Sequence, residues 1–330
     1  MVKPGPPVVL PLPALGDLLA TAVVVALPMR VRFRGIAVRE AMLFRGPAGW
    51  GEFSPFIEYG DEEASAWLAA GIEAAWLGPP PAVRDAVEVN ATVPAVPASQ
   101  VAGVLARFPG ARTAKVKVAE RGQSLRDDIE RVAAVRDLVD LVRVDANGGW
   151  RVDQAVAAIG QLGELEYVEQ PCATVEELAQ VRRRVSAPVA ADESIRKADD
   201  PLRVVAAGAA DIAVVKVAPL GGMRRVLELA EQIPLPIVVS SALDTAVGIG
   251  AGVAAAAALP GLDHACGLGT GALFADDVTA DPPAPRASML TPTAVIVADP
   301  PLAAPDRELW WRQRLARCHA LLATPGRHQS

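Results

Sequence analysis

The sequence is poor in the residues that build disulfide frameworks and zinc sites. Its 330 residues include only three cysteines and three histidines. Cys172, Cys266 and Cys318 lie far apart and form no C-x-x-C spacing, which argues against a disulfide framework or a zinc centre. We therefore expect free thiols in a reducing cytoplasm.

Clusters of positive charge are also scarce. The net charge is −6, and the longest run of Lys and Arg is the triplet at residues 182–184. Such a triplet is typical of the solvated end of a helix, whereas a nucleic-acid surface needs a larger basic patch. The sequence therefore indicates no nucleic-acid partner.

Apolar segments of clear membrane-spanning character are missing as well. The longest uncharged stretch, residues 245–262, is rich in Ala and Gly and contains Pro260, so it favours a buried helix packed on a sheet over a membrane span. Five prolines and Asp17 interrupt the apolar residues near the start of the sequence and argue against a secretory signal. We expect a soluble cytoplasmic protein without a membrane partner.

Apolar residues, in contrast, make up 52% of the sequence, which suffices for a large core. Residues 22–54 predict a three-stranded meander, 61–77 an amphipathic helix, and the Gly-Pro-Pro-Pro at 78–81 a linker. Short apolar runs then alternate with helical patterns, which indicates a parallel sheet covered by helices. The predicted strands are 87–93, 114–118, 141–145, 165–169, 188–192, 211–217, 236–240 and 265–268, and the predicted helices 124–139, 152–162, 174–185, 197–207, 222–232 and 245–258.

Two architectures fit this alternation, a (β/α) barrel and a doubly wound open sheet. We favour the barrel because five consecutive strand ends carry charge, whereas an open sheet concentrates ligands at one switch point. The fold class predicted is α/β, a modified TIM (β/α) barrel with an α+β N-terminal capping domain completed by the C-terminal segment. We assign residues 1–82 to the capping or lid domain and 83–275 to the barrel. Residues 276–330 form a segment whose helix, 306–322, packs back on the capping domain.

The five charged residues that end successive predicted strands are Lys117, Asp145, Glu169, Asp192 and Lys216. Their intervals are 28, 24, 23 and 24 residues. One strand, one helix and two loops take roughly 25 residues in a barrel of about 250 residues. The spacing therefore predicts that all five side chains lie at the same end of the barrel.

The three carboxylates among them indicate a metal site. Adjacent strands are about 4.8 Å apart, so Asp145, Glu169 and Asp192 would repel one another unless they share a cation. Oxygen ligands without a nearby His or Cys favour Mg²⁺, with Mn²⁺ as a second option, over zinc. The alternative is that each acid only caps a helix, but three in register between lysines favour the metal.

The lysines indicate a base. Lys115 and Lys117 are two residues apart on one strand and so face the barrel mouth together. We expect each ammonium to disfavour the other's charge and to lower one pKa, as a lysine base requires at pH 7; the alternative is an exposed edge strand. Lys216, on the sixth of eight strands, would face Lys117 across the ring. This arrangement suits removal of a proton next to a carboxylate, so the expected partner is a small-molecule carboxylate.

Small residues end the last two predicted strands. Ser240 and Ser241 end the seventh, and Gly267 begins the Gly-Leu-Gly-Thr that ends the eighth. We predict that they line the substrate pocket with hydroxyls and backbone N–H groups. A barrel kept only as a binding or scaffold protein would direct five charges into one cavity at considerable cost if they were unpaired, so we favour an enzyme.

As a set, these motifs resemble the muconate-lactonizing subgroup of the enolase superfamily. The pattern of that subgroup is matched by KVK (115–117), DAN (145–147), EQP (169–171), DES (192–194) and Lys216. ALPMRVRFRG (26–35) is similar to its opening strand and mobile lid, and GWGEFSP (49–55) to its third-strand signature. The resemblance runs from about residue 22 to residue 275.

The short chain, with its trimmed loops, is most similar to the dehydratases of menaquinone biosynthesis within that subgroup. The resemblance implies syn elimination of water from 2-succinyl-6-hydroxy-2,4-cyclohexadiene-1-carboxylate through a metal-stabilised enediolate. It implies Lys117 as the base that returns its proton to the leaving hydroxide and Lys216 as the ammonium that stabilises the enediolate. The other implied roles are Mg²⁺ ligation by Asp145, Glu169 and Asp192, support by Lys115 and Asn147, and substrate contact by Arg34 on the lid.

Other activities of the same subgroup stay open at this point. An N-acylamino acid racemase or dipeptide epimerase would use both lysines, one on each face of the substrate, with the same metal. Muconate cycloisomerisation is a third possibility. The epimerases usually carry acidic specificity residues after the eighth strand, whereas Asp263 precedes that strand here, which favours the dehydratase. The sequence leaves the oligomeric state open.

Overall fold

The computed structural model describes residues 12–33, 35–196 and 202–324. Three antiparallel strands form the first sheet, in the order β1 (Val23–Phe33), β2 (Ile36–Gly46) and β3 (Gly49–Phe53). This is the meander that the sequence predicts, with β1 running five residues past the predicted apolar run. The short helix α1 (Leu15–Thr21) precedes it, and α2 (Asp61–Trp76) packs on its face.

The helix α2 approaches this sheet very closely, and two glycines permit it. A Cβ on Gly51 of β3 would collide with the backbone carbonyl of Gly71 in α2, and a Cβ on Gly71 would collide with the carbonyl of Glu52. The sheet and the helix can therefore meet backbone to backbone only because both positions lack a side chain. We call β1 to β3 with α2 the capping unit.

Seven parallel strands form the second sheet. Its strands are paired in chain order: β5 (Ala91–Val93), β6 (Thr113–Lys117), β7 (Leu141–Asp145), β8 (Tyr167–Glu169), β9 (Val189–Ala191), β10 (Ile212–Val215) and β11 (Ile237–Val239). A modified (β/α) barrel is confirmed. Its inward face carries a small apolar cluster of Tyr167, Ala190, Ile212, Val214 and Val238, and the charged residues follow these positions with the same two-residue period.

The barrel is closed by a shorter element than the predicted eighth strand, 265–268. Cys266 and Gly267 each make a single parallel bridge, to Val89 and Ser240 respectively. Backbone bonds support the closure: Cys266 N donates to Glu88 O at 2.7 Å and Gly267 N to Val239 O at 2.8 Å. The predicted strand 265–268 is therefore reduced to these two bridging residues.

The predicted first strand, 87–93, is also divided. Its start, β4 (Val87–Glu88), pairs with β12 (Met289–Leu290) in an antiparallel ribbon, and only β5 joins the barrel sheet. The alternating sequence at 87–93, Val-Glu-Val-Asn-Ala-Thr-Val, gave no sign of this division, because the alternation continues through both halves.

The helices that cover the barrel are α3 (Val101–Leu105), α4 (Leu125–Arg136), α5 (Val152–Leu162), α6 (Val175–Arg182), α7 (Glu193–Arg196), α8 (Leu202–Ala206), α9 (Val217–Leu220), α10 (Met223–Gln232) and α11 (Ala246–Ala258). The 3.6-residue pattern predicted α4, α5, α6, α8, α10 and α11, whereas the short helices α3, α7 and α9 were not predicted. Capping boxes at Ser124 and Thr174 fix the starts of α4 and α6. The predicted helix 197–207 is represented by α8, since residues 197–201 lie outside the described residues.

The last helix, α12 (Pro305–Leu322), packs on α2 and β1, as the sequence predicts. Arg307 and Trp311 of α12 both bind the Glu40 carboxylate of β2, with Trp311 Nε1 to Oε2 at 2.8 Å. One large apolar cluster extends through the capping unit and the barrel. The three-part domain division, at residues 82 and 275, stays a prediction.

In the part of the chain that the structure describes, none of the helices combines the length and the apolar character needed to cross a membrane. The uncharged stretch at 245–262 forms α11 instead. This helix is buried along most of its length.

Candidate active site

Parallel register brings the predicted charged residues to one end of the barrel. Lys117 is paired with Asp145, and Asp145 with Glu169, so the three lie in one row across β6, β7 and β8. Asp192 follows β9 directly, and Lys216 follows β10 as the first residue before α9. All five are buried.

Each of the three carboxylates is bonded to a lysine. Lys115 Nζ donates to both oxygens of Glu169, at 2.8 and 2.9 Å, and lies 3.4 Å from Asp145 Oδ2. Lys117 Nζ donates to Asp145 Oδ2, and Lys216 Nζ to Asp192 Oδ2. Each carboxylate thus accepts a hydrogen bond from a lysine Nζ, so the lysines as well as a metal can offset the repulsion of the carboxylates. The expectation that the three carboxylates share a cation stays a prediction.

The charges shift the pKa values in this row in opposite directions. Burial disfavours the Asp145 carboxylate, but Lys117 and Lys115 outweigh burial and hold its pKa well below the ordinary value. Burial, together with the negative charge of Asp145, raises the pKa of Glu169 to about 7. Burial also disfavours the Lys115 ammonium, yet Glu169 and Asp145 raise its pKa above the usual value. The predicted lowering of one pKa in this lysine pair therefore does not occur at Lys115.

Asn147 connects this row to the start of α7, which follows β9. Its Oδ1 accepts from Lys117 Nζ at 2.8 Å, and its Nδ2 donates to Glu193 Oε1 at 3.1 Å. Its backbone N–H donates to Asp145 Oδ1 at 3.0 Å. Asn147 has a positive φ of 46°, a conformation that Asn tolerates better than most residues. It thus holds both Lys117 and Asp145 in place.

A small cavity lies over these residues. Most of the residues predicted for the site line it: Lys115, Lys117, Asp145, Asn147, Asp192, Lys216, Ser240, Ser241 and Gly267. Glu169 is fully buried and lies outside this lining, next to Lys115. The predicted lid contact Arg34 lies outside the described residues.

Gly267 is required where the two small-residue strand ends meet. A Cβ at this position would collide with Ser240 Oγ. Ser241 Oγ is hydrogen-bonded to Thr270 Oγ1 at 2.6 Å, which ties the end of β11 to the segment after Gly267. The predicted hydroxyls and backbone groups therefore do come together at the cavity.

Several lining residues were not predicted from the sequence. They are Phe33, Phe56, Thr92, Ala242 and Leu243, whereas Thr270 belongs to the predicted Gly-Leu-Gly-Thr at 267–270. Thr92 could have been found, because it is paired with Lys115 in the barrel register. Phe33 ends β1 and Phe56 lies in the loop between β3 and α2, and no spacing rule links these parts of the capping unit to the barrel. Lys117 Nζ lies 5.2 Å from the centroid of the Phe33 ring.

Gln170 is a further residue that received no role in the sequence-based prediction. Its Oε1 accepts from the backbone N–H of Asp192 at 3.0 Å and of Ser194 at 3.1 Å. Its Nε2 donates to Ser194 Oγ at 2.7 Å and to Cys172 O at 2.9 Å. The buried amide therefore fixes the turn that carries Asp192. The EQP motif at 169–171, which contains Gln170, was the signal that could have indicated it.

The oxygen donors at this site are of the type that a hard divalent cation prefers. The Lys115 ammonium lies between Glu169 and Asp145, so these two carboxylates are already placed to share one positive charge. Carboxylate oxygens are the ligands that Mg²⁺ and Mn²⁺ prefer. Within residues 12–33, 35–196 and 202–324, however, no three His, Cys, Asp or Glu side chains are grouped so that they could hold a metal ion. Ligation by all three carboxylates would require the lysines to give up part of their bonds.

Comparisons with known families agree with this architecture. The family described as enolase C-terminal domain-like matches residues 99–295, and the family described as enolase N-terminal domain-like matches residues 24–75. Muconate lactonizing enzyme from Pseudomonas putida has a similar structure, with a TM-score of 0.69, 24% identity and coverage of 90% of this chain and 97% of that one. The L-Ala-D/L-Glu epimerase from Bacillus subtilis gives a TM-score of 0.70 at 22% identity, covering 85% of this chain and 96% of that chain. These two likenesses show the fold.

Relatives at much higher identity share nearly the whole chain. A protein named o-succinylbenzoate synthase from Mycolicibacterium smegmatis is 65% identical over 318 residues, which cover 94% of this chain and 98% of the relative. Proteins of the same name from Mycobacterium tuberculosis and Mycobacterium marinum are 64% and 62% identical, with coverage of 94% and 93% of this chain and 97% and 96% of theirs.

The fold, the row of charged residues and the two family matches define the class, and the chain belongs to the enolase superfamily. Enzymes of this superfamily generally bind a divalent metal ion. Within the superfamily, the identity to the mycobacterial proteins places the chain in the o-succinylbenzoate synthase family. It is an enzyme of the carbon–oxygen lyase class.

Proposed function

We propose that this site catalyses syn elimination of water from 2-succinyl-6-hydroxy-2,4-cyclohexadiene-1-carboxylate, giving o-succinylbenzoate for menaquinone biosynthesis. The observation that carries the proposal is that Lys117 and Lys216, on β6 and after β10, line one cavity together with buried carboxylates from the strands between them. A small carboxylate bound there has an amine or ammonium group on either side.

Lys117 is the base in this proposal. Its neutral Nζ takes the proton from the carbon that bears the carboxylate, and the electron pair left behind forms a carbon–carbon double bond as the hydroxide leaves. The same Nζ then returns its proton to the hydroxide, so water departs and Lys117 is neutral again. Because Lys117 removes the proton and returns it to the hydroxide on the same face of the substrate, the elimination is syn. Asn147 and Asp145, which bind Nζ, orient it.

Lys216 stays protonated in this scheme. Its ammonium stabilises the negative charge that develops on the substrate during proton removal. Asp192, the bonding partner of Lys216, keeps that ammonium charged because a buried carboxylate favours the cation. Asp145, Glu169 and Asp192 would hold Mg²⁺, or Mn²⁺, which when bound supplies positive charge at the substrate carboxylate.

The remaining lining residues bind the parts of the substrate that do not react. Ser240, Ser241 and Gly267 offer hydroxyls and backbone N–H groups for the succinyl chain. Phe33 and Phe56 offer apolar surface for the ring. We propose Arg34 as a further contact from the lid. A cytoplasmic location is consistent with the three cysteines, which are free and buried.

A racemase acting on N-acylamino acids is the second candidate, because two lysines at one cavity could serve both faces of an α-carbon. An exchange experiment in D₂O separates the two activities. We expect fast dehydration of the cyclohexadiene and slow or no deuterium incorporation into either enantiomer of an N-succinyl amino acid. Rapid exchange of both enantiomers with poor dehydration would show that the enzyme is a racemase and not a dehydratase.

A further inference from the structure

Arg39 links the capping unit to the wall of the cavity. It lies in β2, is 3% exposed, and directs its guanidinium toward the segment that follows β11. Arg39 Nε donates to the carbonyl of Leu243 at 3.0 Å, and Nη2 donates to the carbonyl of Ala242 at 3.4 Å. Nη2 also donates to the carbonyl of Ser54. Ala242 and Leu243 both line the cavity.

The same guanidinium contacts a second lining residue. Its Cζ atom lies 4.5 Å from the centroid of the Phe56 ring. Phe56 belongs to the loop between β3 and α2, whereas Leu243 follows β11, so these two parts of the wall are far apart in the chain. One side chain therefore fixes the spacing between two lining elements that share no secondary structure.

The segment that Arg39 holds adopts a conformation that needs support. Leu243 has a φ of 59°, in the left-handed region that disfavours a branched apolar residue. The side chain of Asp244 accepts from Ala242 N at 3.0 Å, and Glu52 of β3 accepts from Thr245 Oγ1 at 2.7 Å. The capping unit thus holds this segment through Arg39, which binds Ala242 and Leu243, and through Glu52, which binds Thr245.

Charge around Arg39 is balanced locally. Glu52 and Asp244 are the acidic groups whose charges interact most strongly with the guanidinium, and both are buried. Because a planar guanidinium donates in fixed directions, it can bind carbonyls of Leu243, Ala242 and Ser54 while stacking on Phe56. A lysine at this position would keep the charge but lose both the fork and the stacking face.

We propose that Arg39 is a positioning residue that sets the distance between Phe56 and Leu243 and so determines how tightly the cavity holds the non-reacting part of the substrate. The inference rests on the proposed dehydration. Arg39 lies behind the wall and does not touch the reacting atoms. Its loss therefore weakens ground-state and transition-state binding together, which raises KM and leaves kcat nearly unchanged.

The test compares Arg39→Lys with Arg84→Lys in the Mg²⁺-loaded enzyme. Arg84 is a matched control, since it also donates to two backbone carbonyls, those of Ala256 and Pro260, at the far end of α11. For Arg39→Lys we expect KM for the cyclohexadiene to rise by about tenfold with kcat within about threefold of the parent enzyme. Binding of o-succinylbenzoate, measured by titration calorimetry, should weaken by a similar factor.

For Arg84→Lys, KM and product affinity should match the parent values. Equal KM values for the two variants, or a loss confined to kcat, would overturn the role assigned to Arg39. If Arg39→Lys does not fold, Phe56→Leu replaces it and should raise KM severalfold; an unchanged KM there also overturns the inference. A parent enzyme without dehydratase activity would instead refute the proposed function.

Discussion

Removing the Lys115 ammonium should destabilise the protein strongly and make its stability depend on a divalent cation. Lys115 donates two hydrogen bonds to Glu169, whose side chain is 0% exposed. Lys115→Met keeps a long apolar chain but leaves Glu169 buried beside Asp145 without its ammonium partner. Breaking one side of a buried ion pair costs about 3–5 kcal/mol, and a protein of this size then melts roughly 5–15 °C lower.

Mg²⁺ should reverse much of this loss if Glu169 and Asp145 are metal ligands. A ligand at 100 times its Kd stabilises the folded state by about 2.7 kcal/mol. The assay is urea unfolding at pH 8, followed by circular dichroism, with EDTA or with excess Mg²⁺. The double variant Lys115→Met/Glu169→Gln should recover much of the loss without metal, because no unpaired charge remains.

An exposed arginine–carboxylate pair provides the control. Arg112 and Asp140 are 71% and 63% exposed, so Arg112→Met should change the stability by less than about 1 kcal/mol. The reasoning fails if Lys115→Met is as stable as the parent in EDTA. It also fails if Mg²⁺ stabilises the parent but gives Lys115→Met no larger increment.

Three further outcomes are expected. Lys117→Arg should lose at least about 100-fold in kcat, since it removes the base. Lys216→Arg should keep part of the activity, because only a positive charge is needed at that position. Equal activity of the two variants would contradict these roles. Chelation should abolish dehydration, and Mg²⁺ or Mn²⁺ should restore it. Full turnover by the metal-free protein would show that the reaction does not need a metal ion. Burial opposes the charge of Glu166, but bonds from His264 and Arg143 lower its pKa to about 2. Stability from this carboxylate is therefore present above pH 4.5 and lost as pH falls toward 2, and Glu166→Gln should flatten urea midpoints measured between pH 5 and pH 3.

Local patterns in the sequence were sufficient to predict the barrel and the row of charges. The apolar runs before Lys117, Asp145 and Glu169 each form a parallel strand, and parallel register then places the three residues side by side. Periodicity likewise predicted α5 at its observed bounds. These predictions succeed because each depends on residues close together in the chain.

Features that depend on distant contacts were not predictable in this way. The bonds from Lys115 to Glu169 join residues 54 positions apart, and the bond from Arg39 to Leu243 joins residues 204 positions apart. Closure of the barrel by Cys266 and Gly267 depends on the first and last strands meeting, which no local pattern encodes. Such contacts are decided by the three-dimensional arrangement.

The docking of α12 on the capping unit also has a consequence for how the enzyme is made. Arg314 of α12 donates to the carbonyl of Phe56, 258 residues earlier, at 3.1 Å, and to that of Tyr59 at 2.6 Å. Trp311 of α12 packs edge-on against Phe53, with ring centroids 5.7 Å apart. The loop that carries the Phe56 wall of the cavity is therefore complete only when α12 is in place.

During translation the loop that carries Phe56 is synthesised long before α12, which supports it. A ribosome adds about 5–20 residues per second, so Phe56 is exposed for roughly 10–50 s before Arg314 has been synthesised. The barrel strands can pair in that interval, since their partners are neighbours in the chain. The nascent chain is thus expected to carry a formed barrel without a finished pocket, and catalytic competence arises as the last step of folding, when α12 docks.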